Sequence, residues 1–207
     1  LPYYAERLGT VKINYTFYRM PKRETVAEWH KATPPHFVFV LKAPQRITHI
    51  ARLKDVDDSL RYFSEVARGL GSKLGPILFQ LPPNFKKDLD RLVDVLAQFA
   101  PDLRSAWEFR HPSWFTDEVY ETLRRGNAAL CIADTEAGAT PLVATADFGY
   151  ARLRDEGYGP AALKKWAATF RDVGKGWGEA FIFFKHEEGG KGPELAKRLQ
   201  ELFQPTS

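Results

Sequence analysis

The chain has 207 residues, 44% hydrophobic and 27% charged, a balance that excludes a disordered or low-complexity protein. Its net charge of +4 permits an anionic ligand without demanding nucleic acid, because surface lysine alone gives such a value. No apolar run approaches the roughly 18 residues a membrane-spanning helix needs, and the single cysteine, Cys131, excludes a disulfide within the chain and suits a reducing cytoplasm.

In chain order, residues 1–8 read as the end of a helix, and no signal peptide is visible ahead of them, although the chain begins at Leu1 without an initiator methionine. Seven β-rich runs follow, at 10–14, 37–42, 77–80, 106–110, 128–134, 150–154 and 180–185. Helical patterns separate them. Residues 55–70 carry Val56, Leu60, Phe63, Ala67 and Leu70 on one stripe, residues 87–99 carry Leu89, Leu92, Val93, Leu96 and Phe99, and residues 159–173 carry Leu163, Trp166, Ala167 and Phe170. Thr25 with Glu28 makes a capping box, Gly71 ends a helix, and Pro160 and Pro193 suit first helical positions. Cys131, in the middle of a strand, reads as a small core residue.

Repeated strand–helix units predict a parallel sheet in one domain over residues 1–207. The expected fold is α/β, a TIM-type (β/α)8 barrel whose first strand lies upstream of Leu1, because the chain opens on a helix end and a barrel needs eight strands. An open doubly wound sheet is the alternative; it would gather ligand residues at one switch point instead of on every strand.

The strand ends carry charge. In Ala106-Trp-Glu-Phe-Arg-His-Pro-Ser-Trp114, alternation puts Trp107 and Phe109 on one face and Glu108 and Arg110 on the other, facing inward. The same reasoning turns Lys12 and Asn14, Lys42, Gln80, Asp134, Arg152 and Arg154, and Lys185 inward, with His186 replacing Lys185 if the register slips by one. Five cations, Lys42, Arg110, Arg152, Arg154 and Lys185, then stand against two carboxylates, Glu108 and Asp134. Buried cations in excess call for an anion, a phosphate, carboxylate or sulfate, and arginine grips such groups through two parallel bonds. The competing reading is a ring of structural ion pairs over a packed barrel.

Within that layer Glu108 is the candidate general acid or base, with Asp134 as its partner and His111 as the group that titrates nearest neutrality. A turn histidine bonding backbone before Pro112 is the competing role for His111. Asn14, Gln80 and Tyr18 join the five cations as candidate binding residues; Tyr15, Phe17 and Tyr18 either stack on a base or sugar or pack their loop.

Other motifs carry no chemistry. Asp147-Phe-Gly lacks the rest of a kinase set, Gly69-Leu-Gly-Ser-Lys-Leu-Gly75 precedes a strand instead of following one, and no nucleophile elbow or structural zinc spacing is present. No cofactor is predicted. A metal held by Glu108, Asp134, His111 or His186 is left open, although the surrounding cations would repel it.

The strand-end motifs resemble the domain-of-unknown-function family seventy-two, also called YecE-like. The matching segments are Tyr3-Tyr-Ala-Glu-Arg-Leu-Gly-Thr-Val-Lys-Ile-Asn-Tyr-Thr-Phe-Tyr-Arg19, Ile47-Thr-His49, Gly71-Ser-Lys-Leu-Gly-Pro-Ile-Leu-Phe-Gln-Leu-Pro-Pro83 and Glu108-Phe-Arg-His-Pro-Ser-Trp-Phe115. The resemblance implies a TIM-type barrel and the loss here of a first strand containing glycine and tryptophan. Two departures fall at the expected site: Arg152-Leu-Arg-Asp-Glu156 where many relatives have Arg-Leu-His-Gly, and Phe184-Lys-His-Glu187 where many have paired asparagines. They imply a different substrate preference. The resemblance brings no established reaction.

Three functions are expected from this pattern. The first is an enzyme that binds a small anionic molecule and moves a proton through Glu108 or His111. The second is a nucleic-acid-processing protein like the abasic-site endonuclease barrels, and the third a non-catalytic ligand-binding protein. No membrane partner is expected, and the oligomeric state is left open.

Overall fold

Short β-branched and aromatic runs fold as parallel strands, and the amphipathic runs between them fold as helices that cover the strands' apolar faces. The computed structural model of the protein describes residues 5, 8–135, 138–155, 157–184 and 191–204. The chain divides into two units, Leu1–Ala128 and Ala129–Ser207.

In the first unit, β1 (Thr10–Ile13) is followed by a short helix α1 (Tyr15–Tyr18) and by α2 (Arg23–Lys31). Next come β2 (Val38–Lys42), a π-helical turn (Arg46–Ile50), α3 (Asp57–Ala67) and a 3-10 segment (Arg68–Lys73). β3 (Leu74–Gln80), α4 (Leu89–Gln98), β4 (Ser105–Glu108), a 3-10 turn (Pro112–Trp114) and α5 (Asp117–Arg125) complete it. The strands pair in parallel, in chain order, β1 to β4. Register places Phe79 beside Trp107 on one face and Gln80 beside Glu108 on the other. The apolar face makes the core: Phe79 stacks on Trp107 at 4.6 Å, and Leu60, Phe63, Leu92 and Val95 from α3 and α4 are buried. Between Phe39 and Leu41 the β2–β3 register shifts, and there Gly75 comes so close to β2 that an added Cβ would lie 2.7 Å from Val38 Cγ1.

In the second unit, β5 (Ala129–Thr135) pairs in parallel with β7 (Phe148–Leu153), and β7 with β8 (Glu179–Phe184). A two-residue strand β6 (Gly138–Ala139) runs antiparallel to β5. Helices α6 (Pro160–Val173) and α7 (Lys191–Glu201) follow β7 and β8. Ile132, Ala151, Leu153, Leu163, Phe170 and Leu199 form this unit's core. Trp177 packs where Gly149 and Gly174 have no side chain; a Cβ at either would run into its ring.

Seven parallel strands among the described residues, alternating with helices, give the α/β fold class of a TIM-type barrel short of one strand. Among the described residues no helix is long and apolar enough to cross a membrane.

Several expectations are corrected. Most of residues 1–8 lies outside the described residues, and so do Lys185 and His186. The capping box at Thr25 does not form: α2 begins at Arg23 behind Lys22, so Thr25 is already inside the helix. Pro193 is the third residue of α7, not the first, a position where the missing N–H still forfeits no intrahelical bond. Gly71 does end a helical run, although not α3 itself: α3 stops at Ala67, the 3-10 segment carries the run on through Leu70, and Gly71 breaks it at φ 53° and ψ −131°, a conformation open to glycine. β4 ends at Glu108 and β7 at Leu153, so the alternation that turned Arg110 and Arg154 inward stops before reaching them. Likewise β1 ends at Ile13, and Asn14 begins the next helix as an exposed N-cap.

Candidate functional site

The parallel register builds a polar chain across three strand ends. Lys42 pairs with Leu78, two residues before Gln80, and Gln80 pairs with Glu108. All three therefore project from one face. Lys42 Nζ donates to Gln80 Oε1 at 2.8 Å, and Gln80 Nε2 donates to Glu108 Oε1 at 2.8 Å. Lysine can only donate and a carboxylate can only accept, so the two ends fix which way the amide points. Glu108 is 1% and Gln80 7% exposed, so these bonds sit where water competes little.

The segment after β2 brings a second group to the same place. Thr16 Oγ1 donates to Lys42 O (2.7 Å), which ties α1 to the end of β2. Phe17 then lies beneath the ammonium, with Lys42 Nζ 3.6 Å from its ring centroid, and meets the His49 ring edge-on at 4.9 Å. His49 sits in the π-helical turn closed by Ala51 N donating to Arg46 O. Such turns are rare and concentrate at functional sites. Arg52, Leu53 and Asp55 follow with φ of 50°, 66° and 51°, a left-handed conformation that costs non-glycine residues about 1 kcal/mol each. Leu53 N bonds Ile47 O, Arg91 Nη1 donates to Arg52 O, and Arg52 Nη2 donates to Asn84 Oδ1. These contacts hold the strained loop in place.

The electrostatics of this cluster follow from its composition. Burial lowers the His49 pKa from its ordinary value, and Lys42, Arg110 and Arg52 lower it further; Glu108 alone pulls the other way. His49 is therefore a neutral imidazole at neutral pH. Its Nδ1 lies 2.9 Å from Thr48 Oγ1, and Thr48 Oγ1 lies 3.3 Å from Pro44 O. When Thr48 gives its one proton to Pro44, Nδ1 carries the ring proton and Nε2 presents a lone pair.

Other expected residues are placed differently. Arg110 is exposed, beyond β4, yet close enough to act on His49. His111 caps the 3-10 turn: Nδ1 accepts from Ser113 N at 3.2 Å and meets Ser113 Oγ at 2.8 Å. That is the turn role weighed against catalysis for this residue. Tyr18 is 72% exposed on α1. In the second unit, Asp134 Oδ2 accepts the Tyr158 hydroxyl at 2.6 Å. Burial and that bond push the Tyr158 pKa up and keep the phenol protonated. Arg152 is buried in β7, and Arg154 is half-buried beyond its end. Among the described residues no three His, Cys, Asp or Glu side chains gather as a metal-ligating group.

Strand alternation did not bring out His49 and Arg52, which lie in and just after the π-helical turn. The segment was visible in the sequence as Ile47-Thr-His49, in which Ile47 and Thr48 are buried.

Comparison with known proteins gives a consistent result. The family model described as "Protein of unknown function DUF72" matches residues 1–207. The UPF0759 protein YecE of Escherichia coli K12 is 34% identical over 125 residues, 59% of this chain and 46% of that protein. The match thus spans less than half of that relative. The UPF0759 protein YunF of Bacillus subtilis 168 is 22% identical, covering 96% of this chain and 84% of its own. The crystal structure of a DUF72 family protein from Enterococcus faecalis V583 superposes with a TM-score of 0.82 at 22% identity, over 97% of this chain and 91% of that one. A second, from Thermotoga maritima MSB8, gives 0.77 at 26% identity, over 93% and 82%.

Proposed function

This chain belongs to the DUF72 family of proteins of unknown function, and from that premise we propose that it is an enzyme acting on a small anionic substrate by acid/base chemistry at its strand ends. The observation that carries the reading is the chain Lys42–Gln80–Glu108, half-buried at its lysine end and buried at its glutamate end, with His49 and the cations Arg52 and Arg110 beside it. Around His49 three cations stand against one carboxylate. A bound phosphate or carboxylate would pair with these cations through charge-assisted hydrogen bonds.

The residues take separate roles. Lys42, Arg52 and Arg110 hold the anion. Glu108, fixed by the Gln80 amide, exchanges a proton with the substrate, and the His49 Nε2 lone pair takes or returns a second one. His111 is a turn-former in this account. A cytoplasmic location belongs to the same proposal and is supported by the sequence holding one cysteine, Cys131, which is buried.

Calorimetric titration with inorganic phosphate tests the binding half. Phosphate should bind in the millimolar range or tighter, and Lys42→Met should weaken it about tenfold, the loss of one charge-assisted contact. No binding of phosphate, sulfate or carboxylate at millimolar concentration contradicts the reading. Glu108→Gln separates an enzyme from a mere binder: phosphate still binds, while turnover of any substrate identified disappears.

A further inference from the structure

Phe17, the ring beneath Lys42, also lines a separate space. A cleft of about 560 Å3 opens beside it, walled by Phe17, Tyr18, Ile50 and Tyr62. These walls come from α1, the π-helical turn and α3, so the cleft is built by separate elements and not by one exposed helix face. Three of them remain in water: Tyr18 is 72%, Ile50 71% and Tyr62 43% exposed. Large apolar side chains left exposed around one concavity mark a binding surface. Polar residues also line the cleft: Gln45, Arg46 and Ser59 offer donors and acceptors, and Asp58, the one carboxylate there, is paired with Arg61 at 2.6 Å.

We infer that this cleft is the ring subsite of the same ligand whose anion the cations hold, and that the substrate class is an anion carrying a flat heteroaromatic ring, as in a nucleoside monophosphate. The inference rests on the anion-binding reading above and adds the chemistry of the other end of the molecule. Tyrosine faces suit a flat ring, and the mixed donors and acceptors at the edge suit ring nitrogens and carbonyls better than a hydrocarbon. Continuity comes from Phe17. Its ring centroid lies 3.6 Å from Lys42 Nζ and 4.9 Å from that of His49, and Phe17 also lines the cleft, so the two subsites share this residue. Arg46 on the fringe adds a cation on the cleft side.

The test titrates the protein with inorganic phosphate, ribose 5-phosphate and adenosine 5′-monophosphate. The nucleotide should bind about tenfold more tightly than ribose 5-phosphate, the gain of stacking one base. Tyr62→Leu and, separately, Tyr18→Ala should remove that advantage and leave the affinity for inorganic phosphate unchanged, which also shows that each variant is folded. If phosphate binds but the nucleotide gains nothing over ribose 5-phosphate, the ring subsite is overturned and the anion site stands. A nucleotide advantage that survives both substitutions overturns the assignment to this cleft. If nothing binds, both readings fall.

Discussion

Gln80 shows how one neutral side chain organises charge. Its amide takes a bond from an ammonium and gives one to a carboxylate, each at 2.8 Å, inside the protein. Gln80→Leu removes both while leaving their charged partners in place. We expect it to lower unfolding free energy by about 2–4 kcal/mol, read by urea denaturation, because hydrogen bonds to buried charges are the costly ones to lose. A loss below about 0.5 kcal/mol would show that water replaces the amide. The polarity of Lys42, Gln80 and Glu108 was legible from strand alternation, since each lies in or at the end of a regular strand. Arg110 was not: two residues past Glu108 the backbone has left the strand, and period-two reasoning has no hold there. For His111 the sequence left a pair of alternatives, and its bonds to Ser113 are those of the turn role.

At the scale of elements, the site depends on how closely β3 and β2 approach. Gly75 sits against Val38, Val40 and the Phe39 carbonyl at the register shift, with Lys42 at the end of the same strand. Gly75→Ala puts a methyl where backbone and branched side chains already stand. The expected cost is about 1–3 kcal/mol, seen as a lower urea midpoint with an unchanged slope. The seven parallel strands were legible; their boundaries moved by one to three residues, as with β3 starting at Leu74 instead of 77. The π-helical turn was not legible, because nothing in Arg46–Ile50 distinguishes it by period or composition. Its shape comes from tertiary contacts, including the bond from Leu53 N to Ile47 O. The same holds for β6, two residues long and set by its pairing with Asp134 and Thr135.

For the whole molecule, the alternation of strands and helices was enough to give the fold class, and the four matching segments were enough to give the family. The conformation of Ala51 to Asp55 was out of reach, because no local pattern encodes three non-glycine residues at positive φ. The charge cluster around His49 also leaves its mark on global stability. His49 has its pKa lowered in the folded state, so on acidification the unfolded chain takes up the proton first, near 6.5. The stability from this group is complete above that value and declines as pH falls toward the folded pKa. Unfolding free energies at about pH 7.5 and about pH 5.5 should therefore differ more in the native protein than in His49→Gln.

The titration of His49 itself, followed by the NMR signals of its imidazole and assigned by their loss in His49→Gln, tests most directly whether an anion binds among the cations beside it. The midpoint should lie below 6.5 in the free protein and rise on addition of inorganic phosphate, as an anion settles among Lys42, Arg52 and Arg110 and makes the imidazolium easier to form. A midpoint at the ordinary histidine value, or one that phosphate leaves where it was, would contradict the account.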